Sequence, residues 1–223
     1  MRPSGRVAST SKGGIAGAGG SGRRRVTMRK GERTRRALVE RSAPVFNTKG
    51  YFGTSMSELV RETGLEKGSI YNYFGSKEQL ASAAFDFSAE LVLGRLEEAL
   101  DGEGRVLERL VRAVEVHRTL AEDRPIQGGC PILNTAIEAD DAQPALKEKV
   151  RQAMDRWQDL IVRTIREGIA NGELDPEAGP EALATIIIST IEGAVMMSRL
   201  YEDTDHVHRA VNHLTWHLSS LTR

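Results

Sequence analysis

Lys67, Gly68, Ser69, Tyr71, Asn72, Tyr73 and Lys77 fall within one short window of the chain. They carry ammonium groups, hydroxyls and an amide, which are hydrogen-bonding groups rather than an activated nucleophile or a ligand set for a metal. Such side chains meet the phosphate oxygens and base edges of a duplex. Lys67, Ser69 and Asn72 are the candidates for base edges, since Lys suits guanine O6/N7 and Asn suits adenine. Gly68 would let backbone come close to DNA. Thr54 and Lys77 stand where helix N-termini are expected, and are candidate phosphate contacts. The chemistry these residues suit is recognition.

Two short helices about a sharp turn must position them. Ser55 or Ser57 caps the first, because a Ser oxygen accepts from free amides of the opening turn. Met56, Leu59 and Val60 then share one apolar face. Gly64 is a left-handed stop, Leu65 anchors the turn, and Ile70 and Phe74 face inward from the second helix. That leaves the polar residues on the outside, where a helix of this kind reads the major groove. A preceding helix over about 32–49, with Leu38, Ser42, Val45 and Phe46 on one face, supplies the backing. A bend is expected in it at Pro44. Gly50 should end it.

The stretch from about Arg33 to Leu80 resembles the DNA-binding head of the TetR family of one-component repressors. Ala43, Phe46, Gly50, Tyr51, Thr54, Ser55, Gly64, Gly68, Ser69, Tyr71, Tyr73, Phe74, Lys77 and Leu80 stand at that family's spacing. The resemblance implies that Tyr71 and Tyr73 contact the DNA backbone. It also implies a homodimer on a palindromic operator, and an effector pocket among the long helices of the body.

Charge divides the chain in the same way. Residues 1–80 hold 16 Lys/Arg against 6 Asp/Glu, and residues 81–223 hold 15 against 25. One basic end on an acidic remainder is the footprint of a protein that meets nucleic acid with that end alone. The expected organisation is all-α: a disordered basic tail over 1–30, a helix-turn-helix domain over 31–78 and an effector-binding and dimerisation domain over 79–223. The run Arg23-Arg24-Arg25 is a possible phosphate-tracking arm.

Helical periodicity continues through the body. A long helix from about Lys77 to Leu100, capped by Ser76, would act as a lever between head and body. Others follow over about 105–121, 132–138, 144–170, 180–201 and 205–221, with a turn at 140–143. The helix from Pro180 is apolar nearly all round, which marks burial on two sides. With the last helix it is the expected interface of a two-fold dimer. Candidate effector-lining residues are Phe87, His117, Cys130, Asn134, Trp157, Ile161 and Glu192, and a largely apolar pocket suits a small hydrophobic effector.

Gly128-Gly129-Cys130-Pro131, followed by Asn134 and Glu138, resembles a TetR subgroup whose members include cysteine sensors of electrophiles or oxidants. At a helix N-terminus the Cys130 thiolate would be favoured, which makes an electrophilic effector the alternative. Cys130 is the one cysteine, so no internal disulfide can form. No stretch reads as a membrane span or a signal sequence, and a cytoplasmic location is expected. There is no HExxH, P-loop, CxxC pair or post-strand GxGxxG, so neither enzyme activity nor a cofactor is expected. His213 and His217 lie four apart on the last helix, but Leu214 and Trp216 between them read as packing rather than a metal site. The competing class is a helical small-molecule carrier or enzyme without specific DNA binding. A further option is a nucleoid protein that binds DNA without sequence preference.

Overall fold

Nine α-helices are present among the described residues, 29–139 and 143–222 of a computed structural model. They are α1 (Lys30–Gly53), α2 (Met56–Thr63), α3 (Lys67–Phe74), α4 (Lys77–Leu100), α5 (Val106–Glu122), α6 (Pro131–Ala139), α7 (Pro144–Ala170), α8 (Pro180–Leu200) and α9 (Asp205–Ser220). The only β-type pairing among these residues is an isolated bridge between Leu174 and Thr222. The all-α reading holds. The arginine run 23–25 and residues 140–142 of the expected turn lie outside the described residues, whereas Arg29 and Lys30, assigned to the tail, open α1.

Local chemistry sets the front three helices. Ser55, not Ser57, caps α2: its hydroxyl accepts from Glu58 N at 3.2 Å while the Glu58 carboxylate accepts from Ser55 N at 2.9 Å. This reciprocal pair satisfies amides that the first turn leaves free. Gly64 closes α2 in the left-handed conformation, φ 70°. Leu38, Val39, Leu59, Ile70, Phe74 and Leu80 form the core of this head, with Phe46 and Leu65 packed against it. Truncating fully buried Leu59 to Ala would cost ~2–5 kcal/mol by lost contacts and the cavity left behind.

The break in α1 falls at Gly50 and not at Pro44. The dihedrals stay helical there, and the one non-helical residue inside α1 is Gly50 (φ 74°, ψ 171°). Two features explain why the break falls there. Positive φ is open to glycine without a Cβ clash, and a Cβ at residue 50 would lie 2.6 Å from the Glu138 carboxylate. That carboxylate accepts from Tyr51 N at 2.7 Å and Phe52 N at 2.8 Å, so α6 holds the end of α1.

Ser76 caps α4 by accepting from Gln79 N at 3.2 Å. This rod runs from the head, where Leu80 is buried, into the body, where Leu93, Leu96 and Leu100 join the main core. That core includes Leu110, Trp157, Ile165, Ile191 and Leu214 from α5, α7, α8 and α9. Part of α8 faces outward: Ile186, Met196, Met197 and Leu200 are exposed, and Trp216 of α9 is 66% exposed. By length and composition α8 could cross a membrane, contrary to the reading that no segment could. Its other side packs on α7 and α9.

Candidate nucleic-acid interface and effector cavity

On α3 the inward positions Ile70 and Phe74 fix the helix, and the residues between them point away from the head. Lys67, Gly68, Tyr71, Asn72 and Tyr73 are exposed and Ser69 is half-buried. Lys67 Nζ stands 5.9 Å from the centre of the Tyr71 ring, a cation–π approach that keeps both side chains on the same outer face. These residues form one surface.

Thr54 and Lys77 are placed differently from expectation. Thr54 is 1% exposed and its hydroxyl donates to Gly50 O at 2.6 Å, so its side chain ties off α1 and is not free for a phosphate. The cause is the Gly50 break, which leaves a carbonyl needing a donor. Lys77 Nζ donates to Tyr51 O at 2.6 Å and lies 4.2 Å from the centre of the Tyr51 ring. An ammonium has three donors, so two remain, but the group is anchored. Tyr51 in turn donates to Glu78, which helps hold that carboxyl down at about 2.

Between head and body lies a polar junction. Asn47, on the buried side of α1, donates from Nδ2 to Gln127 O at 2.8 Å and Gly129 O at 3.0 Å. Asn134 of α6 donates from Nδ2 to Asn47 Oδ1 at 3.0 Å and Gly128 O at 2.7 Å. Arg199 Nη1 of α8 donates to Asn134 Oδ1 at 3.3 Å. A Cβ at residue 128 would meet Asn47 O at 2.5 Å, and φ there is 112°, so glycine is required on both counts. Asn134 therefore belongs to this junction and not to the lining of the cavity in the body. Phe87 is also displaced: it packs where Ala43, Ala84 and Ile126 join head to body.

The same loop closes a cavity of about 70 Å³ in the body. His117 of α5, Cys130 and Glu192 of α8 come together on its wall, with Val92, Leu120 and Val195 among the apolar lining. Trp157 and Ile161 instead line a smaller neighbouring space of about 10 Å³, where His117 is shared between the two. The His117 ring stacks on Trp157 at 5.4 Å between centres and 14° between planes.

Burial dominates the electrostatics here. It lowers the His117 pKa to about 4, so the ring is neutral at physiological pH. It raises the Glu192 carboxyl to about 7. The Cys130 thiol is pushed well above its ordinary value, first by burial and then by the neighbouring Glu192 carboxylate. That reverses the expected thiolate. Cys130 does precede α6, but the few amides of the helix start are outweighed by loss of water and by the nearby acid.

Two family descriptions match this architecture. "Bacterial regulatory proteins, tetR family" matches residues 38–84, and "Tetracyclin repressor-like, C-terminal domain" matches residues 106–214. A TetR transcriptional regulator of Chloroflexus aurantiacus superposes with a TM-score of 0.84 at 45% identity, over 88% of this chain and 99% of that one. The chain belongs to the TetR family. A second TetR-family structure, from Cytophaga hutchinsonii, superposes at TM-score 0.79 and 33% identity over 88% of this chain and 98% of that one. An HTH-type transcriptional regulator of Mycobacterium tuberculosis is 31% identical over 189 residues, 81% of this chain and 93% of that one. TetR-family proteins are DNA-binding transcriptional regulators, typically ligand-responsive repressors and homodimers.

Asn47, which links head to body, was not among the residues singled out from the sequence. Asn47 was hidden as a polar residue inside an amphipathic helix. Its signal was an Asn placed one position after Phe46 and three before Gly50, where an amide in a helix interior needs a specific partner.

Proposed function

We propose that this TetR-family protein is a cytoplasmic, non-enzymatic repressor that binds a palindromic operator as a homodimer and is released from it by a small effector. The functional division falls at the start of α4: residues 31–78 bind DNA and residues 79–223 carry the effector cavity and the dimer surface. The observation that carries the reading is the exposed outer face of α3, where Lys67, Tyr71, Asn72 and Tyr73 project from a helix whose inner face is locked into the head. Lys67, Ser69 and Asn72 read base edges, Tyr71 and Tyr73 hold the backbone, and Gly68 permits close approach. The anchored Lys77 offers its remaining donors to a phosphate.

The outward apolar residues of α8 and α9, with Gly193 meeting nothing within 4 Å of an added Cβ, suit a four-helix contact with a second copy. Two heads then face half-sites roughly 34–36 Å apart or a multiple of that. Effector in the cavity acts on the 127–130 loop, which is bonded to α1 through Asn47. An effector need only favour the conformation that does not fit DNA, and a coupling of ~1–3 kcal/mol changes occupancy by one to two orders of magnitude.

A gel shift of the full chain on the promoter beside its own gene, with scrambled competitor at fixed salt, tests this reading. The expected result is a specific complex containing two copies of the chain, weakened at least tenfold in Asn72→Ala and Tyr71→Ala. Equal retention of the scrambled duplex would overturn it in favour of a nonspecific binder, and absence of any complex in favour of a carrier.

A further inference from the structure

The cavity in the body holds an unusual excess of unanswered polar atoms. Glu192 is 6% exposed and His117 is 5% exposed. Neither carboxylate oxygen of Glu192 and neither ring nitrogen of His117 has a partner at full hydrogen-bond geometry; the weaker contacts are the Cys130 thiol beside Glu192 and the Ala113 and Val114 backbone beside the His117 ring. Buried polar atoms of native proteins are almost all paired, and each one left alone is costly. Other polar groups of the same wall are occupied. Ser88 donates to Ala84 O at 2.8 Å, and Ser198 accepts from Val207 N at 3.2 Å. Glu192 and His117 therefore face a largely apolar space in which no wall donor reaches the carboxylate at full hydrogen-bond geometry.

From this geometry, and resting on the effector reading above, we propose that the cavity takes a compact protonated amine, its ammonium hydrogen-bonded to Glu192 and its apolar body against Val92, Leu120 and Val195. A carboxylate only accepts when ionised, and it has room for several donors. An ammonium brings three donors together with the charge that a buried carboxylate lacks. The neutral imidazole of His117 can accept a further N–H while it stacks on Trp157. Two cations also line the cavity, Arg199, which donates to Asn134 Oδ1 at 3.3 Å, and Arg124, whose Nε donates to Ala121 O at 3.2 Å, and neither is hydrogen-bonded or ion-paired to Glu192. Cys130 stands beside Glu192 as a neutral thiol and supplies no charge. Asp203, also on the wall, adds negative charge rather than positive.

Calorimetric titration of the full chain with benzylamine, benzyl alcohol, toluene and benzoate separates the chemistries at constant shape. Benzylamine is expected to bind at least tenfold more tightly than the other three. Its affinity should rise about tenfold from pH 6 to pH 8, because the ligand stays protonated while Glu192, at about 7, gives up its proton to receive it. Glu192→Gln should remove both the preference and the pH dependence. Equal binding of benzyl alcohol or toluene, tighter binding of benzoate, or no binding of benzylamine would each overturn the proposal. The comparison of amine with alcohol uses the unaltered chain and needs no variant to fold. Failure of this titration leaves the operator gel shift untouched, and loss of the gel shift leaves the titration interpretable, so the two readings fail separately.

Discussion

Two buried polar clusters flank the loop 127–130, and the chain treats them in opposite ways. At the junction, Asn134 donates to Asn47 Oδ1, and the two side chains together bind three carbonyls of the loop. In the cavity, His117 and Glu192 have no partner at full hydrogen-bond geometry and only weaker contacts, with the Ala113 and Val114 backbone and with the Cys130 thiol. A matched network specifies one docking of head on body, because any other arrangement strands an amide. An unmatched one lowers stability by the cost of each buried polar atom left without a full partner. The contrast separates what holds this molecule in shape from what lets it respond.

The largest effects should come from the unmatched side. The folded Glu192 pKa of about 7 exceeds its unfolded value of 4.5, so the folded chain keeps a proton across that window and loses stability as pH rises through it. His117 does the reverse. Its folded value of about 4 lies below 6.5, so stability falls as pH drops through that window. Each group is worth ~3 kcal/mol over its range, and between pH 4.5 and 6.5 the two slopes oppose each other. Urea titrations of Glu192→Gln should therefore show stability rising by ~3 kcal/mol from acid to neutral pH relative to the parent. His117→Phe should show the opposite trend. Parent-like pH profiles in both variants would mean that the cavity's polar atoms are matched after all.

Next in size is the junction. Asn47→Ala removes the donors for Gln127 O and Gly129 O and the acceptor for Asn134, and should cost ~2–3 kcal/mol in a urea melt at any pH near neutrality. A loss under ~0.5 kcal/mol would show that water replaces the amide and that the junction does not specify docking. The head surface lies outside this contrast and provides its control. Lys67→Ala should leave the urea midpoint unchanged while reducing operator affinity about tenfold and relaxing the base preference at the position it reads. Smallest of all is Asp205→Ala, which breaks the exposed 2.7 Å pair with Arg209 and should change stability by less than ~0.5 kcal/mol.

Legibility in the sequence followed the range of the interactions. The caps Ser55 and Ser76, the stop at Gly64 and the inward pair Ile70 and Phe74 are local, and all are found where spacing predicts. The apolar stripes of α5 and α7 were equally readable, since a 3.6-residue period records which side is buried. Pro44 lies within continuous helical dihedrals, flanked by buried Ala43 and Val45, and the break falls six residues later at Gly50. In the cavity, His117, Cys130 and Glu192 were legible as polar residues on apolar faces. Trp157, Ile161, Phe87 and Asn134 were not separable from them, because helical period gives a face but not which neighbour fills it. The thiol's charge state was illegible for a related reason: it depends on Glu192, 62 positions away in the chain. Asn47 was missed because its partners come from a loop whose path no periodicity records.

Gly129 serves both clusters at once, its carbonyl accepting from Asn47 and its backbone forming part of the cavity wall. A single residue thus belongs both to the chamber's wall and to the contact with the head. A slender guest can occupy the chamber and leave that residue at rest, whereas a thicker one has to displace it and so loosens the grip on α1. Strength of response in this molecule should then track the girth of the guest, and a tight but slim binder would act as a blocker.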